Sequence, residues 1–161
     1  HNAVIEMQPV DYTNNPHVIA RNSKMVAINA ALQVDLYGNI YADVLGLEDQ
    51  YTGSGGAIDF ALGCAISDDA KFVSTLSSTT SDLKYSRIVF HPTREENPFA
   101  PQMPLVPRYL ADYVVTEYGI ASLKGKNNNE RARSLINIAH PNFRATLTEQ
   151  ARRAGLIHGK F

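Results

Sequence analysis

A layered α/β domain, with a mixed and partly parallel sheet flanked by helices, is the fold this 161-residue sequence predicts. Three observations predict it. Apolar residues alternate at strand spacing in the first third, a helical stripe follows directly on a glycine-rich turn, and the last third carries two further helical stripes. The length suits one core, so a single domain over residues 1–161 is expected.

Residues 4–10 alternate, with Ile5 and Met7 on one side and Glu6 and Gln8 on the other, and read as a strand. "TNNP" then starts a short helix to Arg21, with Asn14 or Asn15 as N-cap and Pro16 at the first helical position. Alternation resumes from Met25 through Leu32, Val34 and Leu36. "YGN" supplies a turn and "IYADV" returns, which makes a hairpin. In "YTGSGGAIDFALGC", residues 51–64, three glycines in four positions lead into Ala57, Phe60, Ala61 and Cys64 at i, i+3, i+4, i+7. "KFVSTLS", "YSRIVF" and "DYVVTEYG" read as buried strands, the last with a charged tip.

Residues 92–107 hold five of the eight prolines and are expected to form a surface loop. Beyond them, Ala132, Leu135, Ile136 and Ala139 make one helical stripe and Phe143, Leu147 and Ala151 another, with Gly155 as C-cap.

Composition narrows the function classes. A formal net charge of −1 gives no electrostatic footprint for nucleic acid. The apolar runs are interrupted by Asp59 and Glu117 and fall short of the ~20 residues of a membrane span. A lone cysteine, Cys64, and no Cys/His spacing of the zinc type point to no metal and to a reducing, cytoplasmic compartment. The chain begins at His1 without an initiator Met, which suggests a piece of something longer.

A glycine-rich turn at a helix N-terminus offers unpaired N–H groups and the positive end of the helix dipole to an anion or a carbonyl oxygen. A tight turn needing only positive φ accounts for the same glycines. The loop is neither a Walker sequence nor a GxGxxG fingerprint. Asp59 reads as a first-turn acid favoured by the dipole, and Cys64 as packing.

Four blocks in order narrow the choice: "VAINAALQVDLYGNIYADVLG", "YTGSGGAIDFALG", "YVVTEYGIASLKGK" and "ERARSLINIAHPNFR". From about Ile5 to Ala154 the chain resembles the C-terminal domain of the acetyl-CoA hydrolase/transferase family, the glutamate-dependent CoA-transferases. The resemblance implies transfer of CoA between an acyl-CoA and a small carboxylic acid. A glutamate attacks the thioester, and an enzyme glutamyl-CoA thioester forms. A carboxylate is a poor nucleophile, so the tetrahedral oxyanion needs fixed donors.

On this resemblance Gly56 presents its backbone N–H to the oxyanion, while Gly53 and Gly55 let the loop approach CoA. Asn14 in "N-x-P" orients the nucleophile and contacts CoA, although it serves equally well as a helix cap. Glu117 and Tyr118 match a family motif and also read as a structural ion pair or cap with Arg108 or Lys126. Glu130 and Arg131 read as scaffold with a solvated face, and His140 as a connector between helices.

Two departures stand out. Relatives carry "STAKGG" before "SRIV", whereas this chain has Ser81 for the lysine and Asp82 and Leu83 for the glycines, so Lys84 becomes the candidate CoA-phosphate contact. The proline-rich segment is also longer than the family turn.

The resemblance implies that the nucleophilic glutamate lies upstream, on a chain more than twice as long. The expected partners are the N-terminal domain of the same protein, the acyl-CoA and acid substrates, and a homo-oligomer. The isolated chain is expected to be inactive. Alternatives are an acyl-CoA hydrolase, a non-catalytic CoA-family binding or assembly module, and a stand-alone thioesterase with Glu117 as base.

Overall fold

The computed structural model describes residues 4–45, 49–91 and 103–159. Its elements run α1 (Val10–Thr13), α2 (Pro16–Ile19), β1 (Val26–Ala30), β2 (Gln33–Asp35), β3 (Ile40–Tyr41), β4 (Val44–Leu45), β5 (Asp49–Gln50), α3 (Ala57–Ile66), β6 (Lys71–Thr75), β7 (Ile88–Val89), β8 (Tyr113–Thr116), β9 (Gly119–Ser122), α4 (Asn128–Ile138) and α5 (Pro141–Arg153). A four-stranded sheet has the order β1-β6-β8-β9, parallel except for the antiparallel edge β9. Beside it lie a three-stranded sheet, β3-β2-β7, and the two-stranded β4-β5. The mixed α/β class read from the sequence is the observed one.

Strand periodicity sorts the four-stranded sheet into two unlike faces, because residues in register share a side. Ala27, Phe72, Ser74, Val114 and Ala121 face inward and are buried. Against them pack Ala57, Ala61 and Cys64 of α3 and Ala132, Leu135 and Ile136 of α4, all in the same core. The other face carries Val26, Ile28, Val73, Tyr113, Val115 and Ile120, together with the polar Lys71, Thr75 and Ser122. Both α3 and α4 lie on the first face, and no helix among the described residues packs on the second.

Helix ends follow local chemistry. Asn15 caps α2, its side chain accepting from the His17 amide at 2.9 Å. Asn127 and Glu130 form a reciprocal capping box at α4. His140 caps α5, its Nδ1 accepting from the Asn142 amide at 3.3 Å. Gly63 brings α3 against α2, since a Cβ there would overlap Ile19.

The run from Met25 to Leu36 breaks into β1, which pairs with β6, and β2, so the predicted hairpin is realised by β2 and β3 alone. Its turn is held by buried Asp35, which accepts from the Tyr37 and Asn39 amides at 3.0 and 2.9 Å, from Asn39 Nδ2 at 2.8 Å and from Tyr41 Oη at 3.1 Å.

Four expectations need correction. Residues 4–10 form no strand, because Pro9 becomes the N-cap of α1 and no partner strand is present among the described residues. "DYVVTEYG" does not end at its charged tip. Glu117 and Tyr118 make a two-residue turn, and the chain returns as β9, with Thr116 paired to Gly119.

Of the proline-rich segment, residues 92–102 lie outside the described residues, but Val106 is no surface residue. It is fully buried and bridged to Ile40. Arg131 is not on a solvated face either. It is buried, and its guanidinium donates to the carbonyls of Arg108 at 2.7 Å, Lys126 at 3.1 Å and Tyr37 at 3.4 Å.

Candidate functional site

The glycine loop sits at the C-terminal end of β1, the edge of a parallel sheet where ligands of open α/β domains bind. Gly55 has φ +54°, the left-handed region that glycine enters without steric cost. Gly56 is the N-cap of α3 at φ −96°, a conformation open to any residue, and its carbonyl accepts from the Phe60 amide at 2.9 Å. Gly56 is glycine for another reason. A Cβ there would lie 2.5 Å from Asn14 Nδ2 and 3.3 Å from Phe60.

Asn14 is thus wedged against the loop. Its Nδ2 donates to Asp59 Oδ2 at 3.5 Å, and its Oδ1 accepts from the Thr13 hydroxyl at 3.2 Å. Because Asn15 supplies the cap of α2, Asn14 is released from that task. Asp59 stands three residues after Gly56, on the same side of α3, so it reaches the amide that Gly56 admits. In the sequence Asp59 reads only as a first-turn acid, and its i, i+3 spacing from Gly56 is the signal for this contact.

Two grooves meet at the loop. One, of about 250 Å³, is lined by Asn29, Ala30, Leu32, Tyr51, Gly53 and Gly56. The other, of about 450 Å³, is lined by Val10, Asp11, Asn14, Gly55 and Asp59. Among the described residues, the Gly55 and Gly56 amides donate no hydrogen bond, so both remain available. Gly53 faces open space, and a Cβ there would touch nothing within 4 Å.

Three of the four predicted site positions around the loop, Asn14, Gly55 and Gly56, are brought together directly, and Gly53 lines the adjoining groove. Lys84 is elsewhere. It is exposed, lies 3.4 Å from Asp82, and lines a separate cavity of about 300 Å³ with Ile88, Phe90, Phe143 and Leu147. That cavity shares no lining residue with either groove.

Glu117 pairs with neither Arg108 nor Lys126. Its carboxylate accepts from the Ser78 amide at 2.9 Å and the Ser78 hydroxyl at 2.5 Å, tying the β8–β9 turn to the segment after β6. Arg108 instead lies over the Tyr37 ring, and Lys126 donates to Ser134. Burial pushes the Glu117 carboxyl up, but the Ser78 hydroxyl, the main-chain donors and His140 outweigh it and hold it below the ordinary carboxylate range. A carboxylate so satisfied is a weak base for water.

A carboxyl with a depressed folded pKa contributes stability above its unfolded pKa and loses that contribution as pH falls through the folded value. Urea unfolding of Glu117→Gln is therefore expected to differ from wild type most near neutral pH. The gap should close as pH drops below about 4. A gap independent of pH would contradict this role.

Cys64 is buried on the core side, its Sγ 3.5 Å from the Lys71 carbonyl, and burial pushes its thiol up, as expected of packing. His140 presents its ring edge-on to Tyr118 at 5.4 Å, and Arg144 lies over that tyrosine at 5.5 Å. Among the described residues no helix is long and apolar enough to cross a membrane.

Comparison with known proteins gives this geometry a context. The sequence model of the acetyl-CoA hydrolase/transferase C-terminal domain matches residues 1–151. The chain is 46% identical over 97% of its length to a succinyl-CoA:cyclohexane-1-carboxylate CoA transferase of Geobacter metallireducens, of which it covers 34%. It is 42% identical over 95% of its length to a 4-hydroxybutyrate coenzyme A transferase of Clostridium kluyveri, again covering 34%. Among solved structures, RipA from Yersinia pestis superposes with a TM-score of 0.79 at 39% identity, over 92% of this chain and 32% of that one. The chain thus spans about a third of the length of the curated relatives it matches.

Proposed function

This chain belongs to the acetyl-CoA hydrolase/transferase family as a C-terminal domain, and from that premise we propose that it supplies the oxyanion loop and one wall of the CoA cleft in a longer CoA-transferase. One observation carries the reading. Gly55 and Gly56, whose amides donate no hydrogen bond among the described residues, line one groove at the loop, and Gly55 also borders the adjoining groove that holds Asn14.

A glutamate carboxylate from the preceding part of the longer protein adds to the acyl-CoA carbonyl carbon, whose oxygen becomes an oxyanion facing the Gly56 N–H. Collapse breaks the C–S bond and leaves a mixed anhydride and CoA thiolate. The thiolate then attacks the glutamyl carbonyl, releases the acyl group as carboxylate and forms a glutamyl-CoA thioester. The acceptor acid repeats the sequence in reverse. Donors fixed in advance at the oxyanion are worth roughly 3 kcal/mol each in such steps.

Asn14 keeps one N–H toward Asp59 and has a second N–H for the nucleophile or the pantetheine chain of CoA. Lys84, in its separate cavity, takes no part in this reading.

The test uses the full-length protein. Incubated with acyl-CoA and no acceptor, it is expected to gain the mass of CoA less water on a glutamate and to lose it when a short carboxylic acid is added. An adduct that decays in plain buffer as fast as with acid would make the protein a hydrolase. Absence of both adduct and exchange, across a panel of short acids, would overturn the proposal.

A further inference from the structure

The four-stranded sheet is covered on one side only. Val26, Ile28 and Ile120 are 55%, 67% and 67% exposed, and Val73, Tyr113 and Val115 lie between them in register. Three of the four strands are parallel, and such sheets occur almost only with both faces buried. A mainly apolar face left uncovered on a mainly parallel sheet points to a surface that is occupied in the working protein.

We propose that this face is the docking surface for the polypeptide that precedes the domain in the longer protein. The inference rests on the reading that the chain is one part of such a protein. Three observations choose that occupant. The matched family model is a C-terminal domain, and relatives are about three times as long, so the remaining polypeptide lies mainly upstream. The face is mainly apolar, its polar residues being Lys71, Thr75 and Ser122, which fits a permanent layer within one chain better than a transient partner.

The third observation is one of position. Ala30 ends the exposed row of β1 and also lines the groove at the glycine loop. Polypeptide seated on this face therefore runs out beside Gly56, where a nucleophile from upstream is required. Docking thus places the missing carboxylate as well as burying the sheet.

Cysteine labelling in the full-length protein tests this. Ile28→Cys and Ile120→Cys are expected to react with a maleimide at least about 100-fold more slowly than Leu83→Cys, an exposed turn position away from the face. Wild type gives the background of buried Cys64. Melting curves and a second pair, Val26→Cys and Val73→Cys, guard against one variant failing to fold. Labelling at positions 28 and 120 as fast as at 83 would overturn the proposal. Protection that disappears on dilution, together with loss of a dimer in sedimentation, would assign the face to a second copy and overturn it equally. CoA exchange is measured separately on wild type. Protected cysteines in an inactive protein would sink the proposed function alone, and reactive ones in an active protein would sink the docking alone.

Discussion

Gly56→Ala in the full-length protein is expected to lower kcat about 100-fold or more while the fold survives. The backbone at Gly56 has an ordinary φ of −96°, so alanine meets no conformational penalty there. What it meets is Asn14, whose amide nitrogen would lie 2.5 Å from the new methyl carbon. Either Asn14 swings off Asp59 or the start of α3 moves outward, and on the proposed function both displace a donor from the oxyanion. Misplacement by a fraction of an ångström is enough, because the benefit of fixed donors depends on their alignment with the oxyanion.

The melting temperature should change little. Gly55→Ala is the informative contrast, since the φ of +54° there makes the cost a stability loss of about 1–2 kcal/mol, without a side-chain collision. Steady-state kinetics and thermal melts of the two variants check both statements. Wild-type kcat in Gly56→Ala would remove the glycine loop from the mechanism.

The second large effect is on stability. Arg131→Met is expected to lower the unfolding free energy by about 3 kcal/mol, because carbonyls of Tyr37, Arg108 and Lys126 lose a shared donor inside the fold. For a domain of this size that corresponds to a fall of about 6–12 °C in Tm. Arg131→Lys should recover only part of the loss, since an ammonium cannot reproduce the guanidinium fork across three acceptors. Burial, and after it the neighbouring Arg108, pushes the Arg131 pKa down, so the site is costly for a cation and is held by these acceptors. Chemical denaturation of both variants is the check. A loss below about 1 kcal/mol in Arg131→Met would show the carbonyls to be satisfied by other means.

These cases also show what the sequence made legible. Alternation and stripe spacing located the β2–β3 hairpin, α3, β6 and β8, because each is set by which side of one element meets the core. The glycine loop was singled out through the ordered blocks and Asn14 through "N-x-P", and the structure brings the two into contact. The failures are of another kind. Residues 4–10 alternate like a strand, but a strand needs a neighbour, and none stands beside them among the described residues.

Arg131 looked like the polar side of a helix because nothing local says that three carbonyls from distant segments converge on it. Glu117 was expected to seek a cation, yet it found the amide and hydroxyl of Ser78, 39 residues away in sequence. Asp59 lay within the motif itself, three residues after Gly56, but its partner Asn14 comes from a segment that α2 packs against α3. In each case the deciding contact joins segments whose approach is fixed by the whole fold.

The fit of Asn14 into the space left by the missing side chain at Gly56 leaves this corner of the molecule with no freedom to be resculpted. Two relatives are named for acids as unlike as cyclohexane-1-carboxylate and 4-hydroxybutyrate. On the function proposed above, anyone redirecting such a protein toward a new acid would place the library in the upstream polypeptide and leave the Asn14–Gly56 contact untouched.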